Sequence, residues 1–321
     1  ATKKVNASGG VLGKPIKLEV QDDAGQPAQA TTAVQKLLAD NVVAVLGEFA
    51  SSNSLAGAPI CQSKKIPMVT PGSTNPAVTQ VGDYIFRTCF IDPFQGTVCA
   101  KFASGTLHAK TAAVFTDIKS DYSVGLAKYF IQEFSKTGKI VDQESYSAGD
   151  SDFRSQLTRI KAAKPDIIFI PGYYTEVGNI AVQARSLGMK QPFLGGDGWD
   201  SPKLAEIGKD AIQGSYFSTH FSTESKDPLV VNFVAAYKKQ YGEAPDGISA
   251  VNYDGARILY DAIERAGSTD PAKIRDALAA TKDFPGVTGK ITIDKDRNAV
   301  KPAVILQVVG KEFKYVTTVN P

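Results

Sequence analysis

The chain has 321 residues, 43% hydrophobic and 21% charged, the balance of a globular protein. Its length points to two domains, and no run of about 18 apolar residues is present to cross a bilayer as a helix. A net charge of +3, with Lys and Arg interleaved among Asp and Glu and no basic stripe, argues against nucleic-acid binding.

From Ile16 onward, apolar runs of strand length alternate with longer segments of helical period. The first expected strands are IKLEV (16–20), VVAVLG (42–47), IPMVT (66–70) and YIFRT (84–88). PAQATTAVQKLLAD (27–40) reads as a helix, with Pro27 at a first helical position and Ala33, Leu37 and Leu38 marking its apolar face. The stretch IPMVTPGSTNP (66–76) runs from a strand into seven small or turn-forming residues, Thr70–Pro76. A tight turn needs one or two of these. In open α/β sheets ligands sit beyond the carboxyl ends of the strands, so this turn is a candidate wall of a binding site.

Strands continue at TAAVFTD (111–117), KIVDQESY (139–146), DIIFIPG (166–172), PFLGG (192–196) and GSYFSTHF (214–221). The rhythm then turns helical over 228–242, 248–267 and 271–281, and two strands close the chain at 303–309 and 312–318. About five parallel strands before Asp92 and about four between Thr111 and Phe221 imply two doubly wound α/β lobes, with right-handed crossovers and no flexible Gly/Ser linker between them.

Signals of catalysis are weak. No Gly-x-Ser-x-Gly elbow and no Walker loop occur, and GGDGWDS (195–201) lacks the third glycine of a dinucleotide turn and carries an acid where phosphates would approach. Cys61, Cys89 and Cys99 follow no metal-ligand spacing and read as small buried hydrophobes. His108 and His220 lie in no HExxH pattern. Asp117, Asp121 and Asp197, each taken alone, read as solvated charges or helix caps. Neither an enzyme nor a cofactor is expected.

The stretches NASGGVLGKPIKLEVQDDAGQPAQA (6–30), GEFASSNSLA (47–56), PMVTPGSTNPAVT (67–79), YIFRT (84–88), SDYSVGLA (120–127), GYYTEVGNIAVQARSLG (172–188) and GGDGWDSPKL (195–204) stand out in that order. Together they resemble the periplasmic leucine/isoleucine/valine-binding proteins of ABC transporters, which have the type I two-lobe fold. The resemblance implies a small amino acid, aliphatic or aromatic, held in the cleft between the lobes and delivered to a membrane permease from an extracytoplasmic location. It implies that Ser51 or Ser52 offers a hydroxyl to the ligand carboxylate, with the main-chain N–H groups of Gly72, Ser73 and Thr74 and the Thr74 hydroxyl. Backbone donors at a helix N-terminus form an anion site without a full positive charge, and small residues let the ligand approach them. Asp197 is implied as the partner of the ligand ammonium. Tyr122 and Tyr173 match aromatics that cover the ligand side chain, and Tyr174, Glu176 and Trp199 lie near enough in sequence to contribute. For Tyr174 and Trp199, packing within a lobe is an equal alternative.

On the same resemblance the chain passes between lobes near 91–92, 219–220 and 300–303, dividing it into 1–91 with 220–300 and 92–219 with 301–321. A disulfide of some relatives is absent, its two positions being Gly25 and Ala50. ATKKVNASGGVLG (1–13) resembles the end of the family's first helix, so the family's first strand and most of that helix lack a counterpart. Three arrangements stay open: a partner segment outside this sequence, direct pairing of 16–20 with 42–46, or a second copy filling the place. A truncated relative with altered binding and a structural role is the alternative function; a sensor domain is a third.

Overall fold

A strand buried in a parallel sheet must place its N–H and C=O groups on neighbours, and here βαβ repetition supplies most of those neighbours. The structure, a computed structural model, describes all residues from Ala1 to Pro321. They form two compact units, Ala1–Ile91 with Ser249–Lys301, and Asp92–Ile248 with Pro302–Pro321.

In the first unit β1 (Val45–Leu46), β2 (Met68–Thr70) and β3 (Ile85–Arg87) make a parallel sheet in that order. Every residue of β2 and β3 is buried, the pattern of strands covered on both faces. The helix Pro27–Ala39 turns Ala30, Ala33 and Val34 inward. In the second unit β4 (Thr111–Asp117), β5 (Lys139–Tyr146), β6 (Ile167–Ile170), β7 (Phe193–Gly195) and β8 (Tyr216–Thr219) run parallel. A small antiparallel sheet of β9 (Phe284–Gly286), β10 (Gly289–Ile293) and β11 (Ala299–Val300) returns to the first unit. The hairpin of β12 (Ala303–Val309) and β13 (Glu312–Val319) then pairs antiparallel to β8, so the larger sheet reads β13-β12-β8-β7-β6-β4-β5.

The order of that sheet locates a crevice. From β4 the chain moves outward to β5, returns to β6 on the other side of β4, and then proceeds to β7. Neighbouring β4 and β6 therefore send their connections in opposite directions, and the space beyond their carboxyl ends is a topological switch point.

Three expectations change. Residues 16–20 form no strand, and β1 pairs only with β2, so the sheet does not close up by direct pairing of 16–20 with 42–46. Asn6 holds Ile16 by both main-chain groups, at 2.9 and 2.7 Å, but Leu18 and Val20 stand 56% and 79% exposed because no partner strand covers them. The first unit accordingly has three parallel strands rather than about five, and the second has five. The small sheet β9–β11 was also not expected, because its strands are two to five residues long. Finally, residues 220–248 join the second unit instead of the first. Glu224 accepts from the Tyr315 N–H at 2.9 Å and pairs with Lys314 on β13, which ties this segment to the larger sheet.

Burial predicts which apolar side chains support the first unit. Val45→Ala should lower stability by about 2 kcal/mol, whereas Val20→Ala should change it by less than about 0.5 kcal/mol. Urea unfolding midpoints of the two variants check the contrast.

Candidate functional site

The two aromatic residues expected at the site flank the switch point. Tyr122 lies in the first turn of the helix Asp121–Phe134 after β4, a helix capped by Ser120, whose hydroxyl accepts from the Ser123 N–H at 3.2 Å. Tyr173 precedes the helix Tyr174–Ser186 after β6. Their ring centroids are 5.3 Å apart. Burial raises both phenols well above their ordinary pKa, and the Asp197 charge adds to the effect. At pH 7 they are neutral faces with one hydroxyl each.

Asp197 opens the short turn Asp197–Trp199 after β7. Its side chain is buried, and each oxygen has a donor: Gln95 Nε2 reaches Oδ1 at 2.9 Å and His220 Nε2 reaches Oδ2 at 3.2 Å. The Gly198 N–H donates to Tyr122 Oη at 3.2 Å, joining the acid's turn to the aromatic pair. A Cβ at Gly198 would lie 2.6 Å from the Gly172 carbonyl oxygen and 3.1 Å from both tyrosine rings, so only glycine permits this approach.

Of the neighbouring candidates, Trp199 is fully buried in the core of the second unit, and its indole N–H donates to the Ile170 carbonyl at 3.0 Å. It packs inside the unit because the turn after β7 directs it under the sheet against Phe217. Tyr174 packs against that same core. Glu176 accepts from the Gly149 N–H at 3.2 Å. The structure thus brings Tyr122, Tyr173 and Asp197 together and engages Tyr174, Glu176 and Trp199 elsewhere.

In the first unit the turns after β1 and β2 are bound to one another. The Glu48 carbonyl accepts from Ser54 Oγ, Thr70 Oγ1 and Ser73 Oγ at 3.2, 2.5 and 3.2 Å. The Ser51 hydroxyl accepts from the Asn75 N–H at 3.2 Å. The Ser73 N–H, expected to face a ligand, is used by Thr70 Oγ1 at 3.0 Å, since the Thr70 hydroxyl closes the turn. Thr74 Oγ1 is buried without a partner in the protein. The Phe49 ring lies where a Cβ of Gly72 would be, which explains the glycine. Ser52 is half-buried in the first turn of the helix Ser51–Lys64.

Sequence reasoning missed Arg87, Gln95 and His220 as parts of these arrangements. The fully buried Arg87 guanidinium donates to the carbonyls of Ser73 and Asn75, the latter at 2.7 Å, and so clamps the turn from behind. Its signal was a charged residue inside the otherwise apolar strand 84–88. Gln95 and His220 carried no such signal, because the elements that bring them to Asp197 are distant in sequence.

Burial pushes the Glu48 carboxyl up to about 8, and a hydrogen bond to Asp23 adds to the rise. Burial also pushes Asp23 up, but bonds from Glu48, the Gly25 N–H and Asn53 outweigh it and hold Asp23 below its ordinary value. Between pH 4.5 and about 8 the folded chain keeps a Glu48 proton that the unfolded chain releases, so this group's contribution to stability falls as pH rises. Glu48→Gln should flatten the pH dependence of the melting temperature over that window, as calorimetry would record.

Comparison with known proteins extends over almost the whole chain. The sequence model described as periplasmic binding protein matches residues 1–312. A Leu/Ile/Val-binding protein of Rhizobium johnstonii is 32% identical over 296 residues, 91% of this chain and 80% of the relative. Among solved structures, a leucine-binding protein of Thermotoga maritima is similar with TM-score 0.95 and 41% identity, covering 98% of this chain and 91% of that one. A branched-chain amino-acid binding protein of Streptococcus pneumoniae, in complex with isoleucine, gives TM-score 0.94 and 33% identity over 100% and 92% of the two chains.

Proposed function

Because this chain belongs to the periplasmic binding protein family and has its type I fold, we propose that it captures an amino acid of the leucine, isoleucine or valine class. It does so outside the cytoplasm and hands the ligand unchanged to the permease of an ABC importer. The protein is a binding protein, not an enzyme.

The observation that carries the reading is a buried carboxylate, Asp197, set beside two packed phenol rings at the switch point of a parallel sheet. A ligand ammonium leaving water needs an anionic partner, and Asp197 is that partner. The rings of Tyr122 and Tyr173 offer apolar faces to a branched side chain and lose few torsions in doing so. In the first unit the turn Gly72–Thr74 is suited to a carboxylate, with the unpartnered Thr74 hydroxyl as a donor and Arg87 holding the turn in shape. Ser73 acts through this turn, because its hydroxyl donates to the Phe49 carbonyl, and Ser51 supports it by accepting from the Asn75 N–H.

Titration calorimetry with leucine, isoleucine, valine and phenylalanine tests the proposal. Heat at micromolar concentration is expected for at least one of the aliphatic ligands. Asp197→Asn should weaken it at least about tenfold, which is about 1.4 kcal/mol. Silence across the panel, or an unchanged affinity in the variant, overturns the assignment.

A further inference from the structure

We propose that Gln95 is a second amine-binding residue, its side-chain carbonyl Oε1 accepting from the ligand ammonium beside Asp197. The inference rests on the assignment of Asp197 to the ligand amine.

Gln95 lies on the helix Asp92–Lys101 and is completely buried. Its amide nitrogen donates to Asp197 Oδ1 and to Ser218 Oγ, each at 2.9 Å. These two bonds fix the orientation of the amide. A flipped amide would set Oε1 against the carboxylate oxygen, and an ionised carboxylate has only acceptors to offer. Ser218 is held in turn, accepting from the Cys99 thiol at 3.2 Å. On the far side of the acid, His220 Nε2 is 3.2 Å from Asp197 Oδ2, and the same reasoning requires that nitrogen to carry the proton.

With both its N–H groups spent, the Gln95 amide keeps one acceptor. Oε1 is buried and has no partner in the protein. Buried acceptors are almost always satisfied, so an orphan oxygen on the side chain that holds Asp197 calls for a donor from outside the chain. An ammonium carries three N–H donors, and one carboxylate does not use them all. Gln95 Oε1 and Asp197 together present a neutral and a charged acceptor, held side by side by the hydrogen bond from Gln95 Nε2 to Asp197 Oδ1, which a hydroxyl or a bare methylene at the ligand α-carbon cannot exploit equally.

The test compares L-leucine with 4-methylpentanoate, its analogue lacking the amine, on wild type, Gln95→Met and Asp197→Asn by calorimetry. Methionine fills a similar volume without an acceptor. Gln95→Met should weaken leucine about tenfold and shift the analogue by less than about twofold, so that preference for the amine falls. Equal losses for both ligands would assign Gln95 a packing role and overturn the proposal, as would an unchanged preference, which would mean that water meets Oε1. If Asp197→Asn leaves leucine binding intact, the amine assignment itself fails; if it weakens binding while Gln95→Met does not, only the role of Gln95 fails. Melting temperatures identify an unfolded variant, and Gln95→Leu then provides the second acceptor-free side chain for the same comparison.

Discussion

A charge removed from water must be matched, and the second unit is organised around one such charge. Asp197 is buried, and the chain brings it donors from two other elements, Gln95 on a helix and His220 just after β8. Removing a carboxylate from water without partners is costly, and donors on both oxygens offset this while also fixing the plane of the group. The tyrosine pair is set by the same turn, through the Gly198 N–H on Tyr122 Oη.

The first unit solves a related problem without an acid. Its turns after β1 and β2 are built from short hydroxyl side chains that bond one another's main chain, with the Glu48 carbonyl as their common acceptor. Such side chains reach only a local backbone group, so the turns must lie close, and the parallel pairing of β1 and β2 brings them together. Arg87 adds a buried cation whose hydrogen bonds go to turn carbonyls. A guanidinium suits this place because its planar fork can serve several oxygens at once and stays charged when buried.

A second buried network closes the first unit near the last passage of the chain. Asp254 accepts from the main-chain N–H groups of Val287 and Thr288, each at 2.9 Å, and from the Thr288 hydroxyl at 2.8 Å. Lys301, also buried, donates to that hydroxyl, and burial lowers its pKa to about 8 against the opposing pull of Asp254. This network joins the long helix Gly247–Ala266 to the small antiparallel sheet. It gives that sheet polar anchoring that its short strands do not provide by ladder bonds alone.

What was legible in the sequence was whatever local period and turn chemistry encode. The strands 111–117, 139–146 and 303–309 and the helix from Pro27 follow from runs of apolar residues and from Pro at a helix start. The resemblance singled out Tyr122, Tyr173 and Asp197, which follow β4, β6 and β7 and which parallel topology gathers at one edge. Tertiary structure decided the rest. Residues 16–20 carry a strand pattern, yet a strand exists only when a neighbour accepts its hydrogen bonds, and none does. Trp199 and Asp197 are two positions apart in one turn, but one belongs to the core and the other meets Gln95 and His220 at the candidate site, because side-chain direction depends on what packs below the sheet. Gln95 and His220 meet Asp197 across 102 and 23 residues of sequence, and no local pattern records a hydrogen bond that only the folded sheet brings within reach.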